Sequence, residues 1–353
     1  MNALIETEAD SASDVMRRIE LTRWGVDNLE LGSVPRPTPG PRQVLVQMKA
    51  IALNYRDLLV ISGLYNPKMA LPLVPVSDGA GVIVERGPEA EKFGDGTLVM
   101  PIHVPGWTGG RPEPDAAPRG GPGPGVLAEY VVFDEADLVA APGHLDPIEA
   151  ASLPCAAVTA WNGLFGGAAP VRPGEKVLIL GTGGVALFSL QFAKLAGAEV
   201  IITSKDDAKL HAAKTMGADH LINYRNDPTW GQTARAICGG VGADVVIEVG
   251  GAETLHQSLR AVRKGGTVVL IGSVTGAEVS QLALPPIFMR NVSLRGVAVG
   301  PRDLFEDMAV AIAQHEIRPV VHKAFHGLSA FTDALAELAS GSHFGKVVVE
   351  VSS

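Results

Sequence analysis

The segment KVLILGTGGVA at 176–186 constrains the fold more than any other stretch of this sequence. It is a short β-branched run that ends in the pattern G-x-G-x-x-A and continues into the helical sequence LFSLQFAKLAG. The first glycine permits a tight turn, the second lets the backbone approach a pyrophosphate, and the small third residue lets helix and strand pack closely. The segment therefore predicts a dinucleotide site at a helix N-terminus, with a glycine turn that binds no ligand as the alternative. The expected contacts are Gly181, Gly183, Gly184 and Val185.

The rest of the chain separates into two regions with different residue patterns. Between 17 and 140, short β-rich runs are punctuated by glycine and proline, which predicts a mostly antiparallel β domain. After 145, the runs EKVLILG, AEVIITS, DHLINY, ADVVIEVGG and GTVVLIGS are separated by helix-length stretches, which predicts a doubly wound parallel sheet. Residues 106–125 are dominated by glycine and proline and are expected to form a long loop, either covering the cleft or disordered at the surface.

Charge and cysteine content exclude several classes of protein. The formal charge is -9 and the basic residues are scattered, so we expect no nucleic-acid partner. Two cysteines, Cys155 and Cys238, argue against a disulfide framework and fit a reducing cytoplasm. The N-terminal residues lack the pattern of a signal peptide, and glycines interrupt the longest apolar stretch, 177–193. The sequence thus favours a cytoplasmic protein that acts on a small molecule and does not bind a membrane.

The end of the second predicted strand of the parallel sheet indicates which dinucleotide is used. A carboxylate about twenty residues after the glycine motif would hold the ribose 2′-hydroxyl of NAD and would repel a 2′-phosphate. This chain has Ser204 and Lys205 there, followed by Lys209. A hydroxyl with ammonium groups favours NADPH. The alternative is that Asp206 or Asp207 serves NAD.

Several motifs occur in a familiar order between residues 17 and 351. They are NYRDLL at 54–59, GLY at 63–65, PVSDGAG at 75–81, LPCAAVTAW at 153–161, INY at 222–224, EVGG at 248–251 and HFGK at 343–346. Together they resemble the medium-chain dehydrogenase/reductase superfamily, and more closely its zinc-independent, quinone-oxidoreductase-like branch. The resemblance implies a GroES-like β domain built from 1–150 and 301–353, and a Rossmann domain over 151–300 between them.

The same resemblance allows the zinc ligands to be checked. Asn54 stands where zinc alcohol dehydrogenases have a cysteine ligand, and Ser77, followed by Asp78, stands where they have the ligand histidine. Only Cys155 remains of that set, and one thiolate cannot form a zinc site. We therefore expect no metal, and we expect Cys155 to be a packing residue near the nicotinamide.

Without a metal, other groups must stabilise the charge that develops on the substrate oxygen. The resemblance implies that Tyr65 is a proton donor and that Asn54 lines the nicotinamide pocket. The alternative for Tyr65 is a loop side chain that packs against the β domain. Arg56 and Asp57 are expected to form a structural ion pair.

The resemblance also implies cofactor contacts in the second half of the chain. They are Thr159 beside the nicotinamide, Tyr224 near the adenine and 2′-phosphate, Gly250 and Ser273 at strand ends, Lys346 near the phosphates, and Val299. Val299 is also expected, with Trp107 and Phe288, in the wall of the substrate pocket.

These expectations lead to one main functional hypothesis. It is NADPH-dependent reduction of a quinone, conjugated enone or activated carbonyl without zinc. The alternatives are a zinc-free, NADP-dependent alcohol dehydrogenase and a non-catalytic NADPH-binding protein. The resemblance further implies a homodimer that pairs through residues 292–299.

Overall fold

A computed structural model describes residues 14–351 of the chain. Its first half contains seven strands and three helices. In chain order they are β1 (Val15–Leu21), β2 (Leu29–Pro35), β3 (Gln43–Ala52), α1 (Tyr55–Ile61), β4 (Asp78–Arg86), β5 (Leu98–Pro101), β6 (Tyr130–Asp134), β7 (Leu138–Ala140), α2 (Pro147–Ala151) and α3 (Val158–Phe165). A π-helical turn, Leu153–Ala157, joins α2 to α3.

The second half alternates strands and helices before it ends in two more strands. The elements are β8 (Lys176–Leu180), α4 (Gly184–Leu195), β9 (Glu199–Ser204), α5 (Asp207–Thr215), β10 (His220–Asn223), α6 (Trp230–Ile237), β11 (Ala243–Glu248), α7 (Leu255–Ala261), β12 (Val262–Leu270), α8 (Pro285–Phe288), β13 (Ser293–Gly296), α9 (Arg302–Gln314), β14 (Val321–His326), α10 (Phe331–Ser340) and β15 (Lys346–Glu350).

Six of these strands form one parallel sheet in the order β10-β9-β8-β11-β12-β13. The chain winds outward from β8 in one direction and then returns to begin at β11 on the other side. Ligands of such sheets bind at the carboxyl ends of the strands where this order reverses. The glycine turn after β8, which the sequence predicted, lies at that point, and the α/β fold class is confirmed.

A second sheet is built from both ends of the described chain. Its order is β14-β15-β3-β4-β5-β7, with β6 also paired to β3. β15 runs antiparallel to β3, and Val349 lies opposite Ile51. The strand that follows α10 therefore completes a sheet that began some 300 residues earlier.

The hydrophobic core continues from one sheet to the other. One cluster of buried residues includes Ala50 and Ala80 of the antiparallel sheet together with Ile179 and Ile202 of the parallel sheet. The helices α2 and α3 and the π-helical turn lie between the sheets and supply the small side chains that fill this junction. Because this junction is densely packed, the position of one wall of the cleft constrains the position of the other.

The glycine- and proline-rich segment 106–125 is attached at several points. Trp107 and Thr108 accept backbone hydrogen bonds from Arg302 and Asp303 at the start of α9. Nearer its end, Arg119 donates to Asp137 Oδ2 at 2.9 Å, and both side chains are buried. The segment thus lies against both halves of the molecule. Within residues 14–351, no helix is long and apolar enough to cross a membrane.

Candidate functional site

The glycine turn leaves an opening at the N-terminus of α4. Gly181 has a φ of +80°, a conformation that favours glycine. Gly183 has an ordinary φ of -83°, and a Cβ added there would meet no atom closer than His343 Nε2, at 3.9 Å. The fold itself does not require a glycine at 183. The space above it fits the close approach of a dinucleotide pyrophosphate, so the residues present fit this cofactor.

Gly184 is small for a different reason. A Cβ there would lie 2.7 Å from Cδ of Lys346, whose stem crosses the start of α4. Gly345 donates a backbone hydrogen bond to Thr182 O at 3.1 Å and pairs with Gly183. The segment from the end of α10 to β15 is therefore fixed directly onto the glycine turn.

The ammonium group of Lys346 turns away from the phosphate position that the sequence implied. The side chain is 3% exposed, and its Nζ donates to Leu53 O at 2.7 Å and to Asn54 Oδ1 at 2.6 Å. Nζ also lies 3.8 Å from Asp78 Oδ2. The structure therefore places Lys346 beside the start of α1, at the end of the cleft that carries the predicted catalytic residues Asn54 and Tyr65 (hereafter the catalytic end).

This contact determines the orientation of the Asn54 amide. A lysine ammonium can only donate, so the amide oxygen must face Lys346 and the amide nitrogen must face away. Nδ2 of Asn54 is buried and finds no acceptor within residues 14–351. A buried donor without a partner is costly and therefore calls for an explanation.

Asp78 is the fully buried acid at the start of β4. Its Oδ1 accepts from Ser77 Oγ at 2.7 Å, and its Oδ2 accepts from Cys155 N at 3.1 Å. Burial, with a smaller contribution from the Asp78 charge, raises the pKa of the Cys155 thiol to about 12. Cys155 is therefore a neutral thiol, consistent with a packing role and unlike an activated nucleophile.

The cleft contains one group of side chains with metal-ligand chemistry. Among the described residues, donor atoms of Asp78, His103 and Cys155 lie within 4.8 Å of one another. Three protein ligands are the number found in catalytic zinc sites. Both oxygens of Asp78 already accept hydrogen bonds, however, and the Lys346 ammonium is 3.8 Å away.

The surroundings of His103 also disfavour a divalent cation. Burial lowers the pKa of His103 to about 3, and the positive charges of Arg56 and Arg119 lower it further as smaller contributions. A zinc ion would have to bind against these two guanidinium groups and the Lys346 ammonium. The donor set therefore does not fit zinc.

Tyr65 lies at the rim of this end of the cleft, on the turn after α1. Its side chain is 44% exposed, and the Arg56 guanidinium sits 4.6 Å from the ring centroid. Arg56 also donates to Arg119 O and Gly121 O. The structure thus links Tyr65 through Arg56 to the glycine-rich segment.

The expected ion pair between Arg56 and Asp57 is not formed in the described part of the chain. Asp57 is fully buried, and its Oδ2 instead accepts from Asn54 N at 2.7 Å. Burial raises the pKa of Asp57 to about 6 in spite of the neighbouring Arg56 charge. The carboxylate therefore caps the first turn of α1, which positions Asn54.

The end of β9 brings together the residues predicted to select the dinucleotide. Ser204 Oγ accepts from Asp206 N at 3.2 Å, and Tyr224 donates its backbone N–H to Ser204 O at 3.1 Å. Lys205 is exposed. Lys209 was predicted to contact the 2′-phosphate, but its Nζ already donates to Gly341 O and His343 O at 2.9 Å each.

Neither aspartate after β9 stands at the strand end itself. Asp206 caps α5 by accepting from Lys209 N at 3.1 Å, and Asp207 accepts from Asn223 Nδ2 at 2.6 Å. Each carboxylate thus already has a partner within the protein.

The loops that carry Gly250 and Ser273 meet at the carboxyl ends of β11 and β12. A Cβ on Gly251 would lie 2.8 Å from Ser273 Cα, so the two loops touch. Gly250 donates its N–H to Glu248 Oε1 at 2.7 Å. These loops border the same crevice as the glycine turn, where the sequence predicts that the cofactor binds.

Thr159 and Val299 lie on facing elements deeper in the molecule. Thr159 is buried on α3, and one turn later Asn162 Nδ2 donates to Val299 O at 2.6 Å. Val299 has a φ of +60°, which is a strained conformation for a β-branched residue. Such strain is typical of functional sites, and here the Asn162 hydrogen bond helps to hold it.

A second strained valine lies across the cleft. Val76, immediately before Ser77, is fully buried with a φ of +68°. Cβ atoms on Gly120 and Gly125 would come within 2.5 and 2.2 Å of the Val76 backbone. Two glycines of the 106–125 segment are therefore required by its contact with the backbone just before β4, the strand that carries Asp78.

A cavity of about 660 Å³ opens between the 106–125 segment and the parallel-sheet half. Its lining combines apolar side chains with polar groups at Asn162, Arg295, Glu113 and Asp303. Of the predicted wall residues, Trp107 lines this cavity. Val299 is buried behind Asn162, and Phe288 is exposed on α8.

Sequence reasoning gave no role to three residues that the structure brings to the cleft. His103 joins Asp78 and Cys155, Arg119 holds the 106–125 segment, and His343 lies over Gly183. No local pattern marks His103 or Arg119. His343 belongs to the HFGK motif, which could have drawn attention to it.

Comparison with known proteins agrees with this architecture. Residues 40–143 match the family model of the alcohol dehydrogenase GroES-like domain, and residues 184–314 match that of the zinc-binding dehydrogenase. A zinc-type alcohol dehydrogenase-like protein of Schizosaccharomyces pombe is 43% identical over 317 residues, which cover 88% of this chain and 91% of that protein.

Solved structures give the same result. The crystal structure of an NAD-dependent alcohol dehydrogenase has a TM-score of 0.87 and 33% identity, covering 96% of this chain and 100% of that one. A crotonyl-CoA carboxylase/reductase in complex with NADP has a TM-score of 0.85, covering 96% and 95%, but at 22% identity it shows the fold alone. The two family matches in their order along the chain, with the long alignment to the yeast protein, show that this chain belongs to the medium-chain dehydrogenase/reductase superfamily of oxidoreductases.

Proposed function

We propose that this oxidoreductase uses NADPH to reduce a conjugated enone, quinone or activated carbonyl, and that it does so without zinc. The observation that carries the proposal is the buried amide nitrogen of Asn54, which has no acceptor within residues 14–351. It is a fixed donor at the cleft, at a position where metal-dependent relatives are expected to have a ligand.

NADPH, when bound, supplies a hydride to the electrophilic carbon of the substrate. Gly183 leaves room for the pyrophosphate. The choice of NADPH over NADH is supported by Ser204 and the exposed Lys205 at the end of β9. A relative of known structure is described as NAD-dependent, so this preference is a property proposed for this chain and its own residues.

Asn54 stabilises the charge that hydride addition places on the substrate oxygen. Preorganised donors are effective because they need no rearrangement as the charge develops. Lys346 fixes the amide through Oδ1, and the cap from Asp57 fixes the backbone below it. Tyr65 is the proposed source of the proton that completes the reduction, and it is near enough to solvent to be reprotonated.

The absence of a zinc requirement is supported by the charges in the cleft. The Lys346 ammonium already compensates the charge of the Asp78 carboxylate, and the positive charges of Arg56 and Arg119 contribute to lowering the pKa of His103. The chain thus has fixed cationic side chains where a Lewis acid would otherwise polarise the substrate.

The size of the substrate is suggested by the cavity beside the 106–125 segment. Its wall begins at Val104, next to His103, and reaches Asn162, one turn from Thr159. A volume of about 660 Å³ exceeds what a short alcohol or aldehyde would fill. We therefore propose a substrate larger than a short alcohol or aldehyde, part of which occupies this cavity.

The test is turnover by the chelator-treated protein and by an Asn54→Asp variant. The carboxylate keeps the acceptor for Lys346 and the start of α1, but it removes the N–H donor. We expect kcat for an enone to fall by about 100-fold or more, with NADPH affinity little changed. Metal content is measured by atomic spectroscopy on the same samples.

The matched control is Gln232→Glu, the same amide-to-carboxylate change at an exposed site on α6. It should leave kcat unaltered. Stoichiometric zinc whose removal abolishes turnover would contradict the proposal. So would an Asn54→Asp enzyme that keeps kcat within a factor of about two.

A further inference from the structure

The cavity beside the 106–125 segment is lined by a single cationic side chain among residues 14–351. It is Arg295, which comes from β13, the edge strand of the parallel sheet, and is half-buried. Pairing of β13 with a second copy, which the sequence predicts, would use the backbone of the strand and not this side chain. Arg295 therefore belongs to the cavity, where it can determine which substrates are accepted.

Asn162 holds the guanidinium of Arg295 in a fixed position. Nη1 donates to Asn162 O at 2.9 Å, and Nη2 donates to Asn162 Oδ1. The amide is itself fixed, because its Nδ2 donates to Val299 O at 2.6 Å. A Cβ on Gly166 would lie 2.2 Å from Asn162 Oδ1, so a larger residue at 166 would displace this amide. The cation is therefore positioned before any ligand arrives.

One edge of the guanidinium has no partner in the described part of the chain. A guanidinium has five N–H groups, and the contacts with Asn162 and with Gly163 O use three of them. Nε makes no hydrogen bond to residues 14–351, and Nη2 makes only one. Nε and Nη2 lie on the same side of the group and can donate in parallel to two oxygens of a carboxylate or phosphate.

The charge of Arg295 also lacks a counter-ion among the described residues. Burial lowers the pKa of Arg295, and no acidic side chain opposes that effect. Glu113 and Asp303, although they line the same cavity, thus do not compensate the charge. By contrast, the more deeply buried Arg119 pairs with Asp137. The carbonyl groups at the end of α3 supply only partial negative charge, so the position favours an anion.

We infer that Arg295 binds an oxyanion of the substrate, a carboxylate or a phosphate monoester, at the end remote from the reacting carbonyl. The inference rests on the proposed function, because it concerns the substrate of the same cleft. It narrows the substrate class to anionic enones, quinones or activated carbonyls. The cavity adjoins the catalytic end, since its lining includes Val104, which follows His103 of the group around Asp78.

The test uses enones of increasing chain length that end in a carboxylate. Each acid is paired with its methyl ester, which has nearly the same shape but no charge. The series finds the length at which the carbonyl and the anion reach their sites together. A phosphate monoester of the preferred length then distinguishes the two oxyanions. NADPH oxidation by the full chain gives kcat and KM for every substrate.

Three variants are compared with the unmutated protein. Arg295→Met removes the charge, and Arg295→Lys keeps the charge but removes the fork of parallel donors. Arg235→Met is the matched control, since Arg235 is a half-buried arginine on α6 whose Nη1 donates to Arg260 O and Val262 O at the end of α7. It removes the same side chain from similar contacts with a helix end outside the cavity.

For the unmutated protein and Arg235→Met, we expect kcat/KM for the best acid to exceed that for its ester by about tenfold or more, the value of one charged hydrogen bond. Arg295→Met should lose this preference through a higher KM for the acid, while kcat and the values for the ester change little. Arg295→Lys should retain part of the preference.

The outcomes separate this inference from the proposed function. Equal kcat/KM for acid and ester at every chain length in the unmutated protein would overturn the inference and leave the proposed function standing. So would an equal loss on acid and ester in Arg295→Met, since that would assign Arg295 to the structure of α3. A preference for the phosphate monoester supports the inference and identifies the oxyanion. If the unmutated protein oxidises NADPH with none of these substrates and with no neutral quinone, the proposed function fails and this inference fails with it.

Discussion

The lysines at the two ends of the cleft differ in burial and in the contacts that they make. At the catalytic end, Lys346 is almost completely buried, and it has a carbonyl, an amide oxygen and a carboxylate as neighbours. At the adenosine end, Lys205 is exposed on the loop after β9. At the catalytic end the protein itself supplies the partners of Lys346. At the adenosine end the charge of Lys205 is left for a ligand to pair. A preformed end can orient reacting groups before the substrate arrives, and an open end can select among cofactors.

The largest effect is expected for the substitution Lys346→Met, which tests whether Lys346 holds the catalytic end together. Methionine has a similar length but leaves Leu53 O, Asn54 Oδ1 and the Asp78 carboxylate without their cation. Removing one partner of a buried ion pair costs about 3–5 kcal/mol of unfolding free energy. We expect a loss of this size in urea unfolding of the protein without cofactor. A loss below about 1 kcal/mol would mean that the catalytic end is not held by Lys346.

A second prediction concerns catalysis at the preformed end. Tyr65→Phe keeps the ring under the Arg56 guanidinium and removes only the hydroxyl. If Tyr65 is the proton donor, kcat for an enone should fall by about 100-fold, with a smaller loss for a quinone, whose reduced form water can protonate. Steady-state kinetics on both substrates measure this. Equal kcat values for variant and parent would leave Tyr65 as a loop side chain that supports Arg56.

The smallest effect is expected for Lys205→Met, the same substitution as the first but at the open end. One charged contact to the 2′-phosphate is worth about 1.5–3 kcal/mol, so the Kd for NADPH should rise by about tenfold or more. NADH affinity and the free energy of unfolding should not change. A matching loss for both nucleotides would assign Lys205 to a phosphate that they share, and unchanged binding would remove it from the site.

The regular parts of this molecule could be predicted from sequence because their signals are local. The strand, glycine turn and helix at 176–195 follow from residue spacing alone, and the alternation after 145 predicts the parallel sheet. Gly250 and Ser273 were predicted as cofactor contacts from the family resemblance, and the structure places both after the carboxyl ends of neighbouring strands.

The catalytic end could be predicted only in part, because its contacts join distant segments. Asn54 was identified as a cleft residue, but its partner Lys346 is 292 positions away. His103 reaches Asp78 and Cys155 from a loop without a recognisable motif. The positive φ of Val76 also has no sequence signal, since valine is the wrong residue type for that conformation.

The pairing of β15 with β3 has a consequence for how the protein is made. Lys346 is the first residue of β15, so it cannot orient the amide of Asn54 until residue 346 has been synthesised and has left the ribosome. Until then β3 lacks one of its neighbours, and Asp78 is without its cation. Pairing between such distant segments is slow to form, and the unfinished edge is exposed to association in the meantime. A chain without β15 would carry the glycine turn but would lack the Lys346 contacts to Asn54 and Asp78.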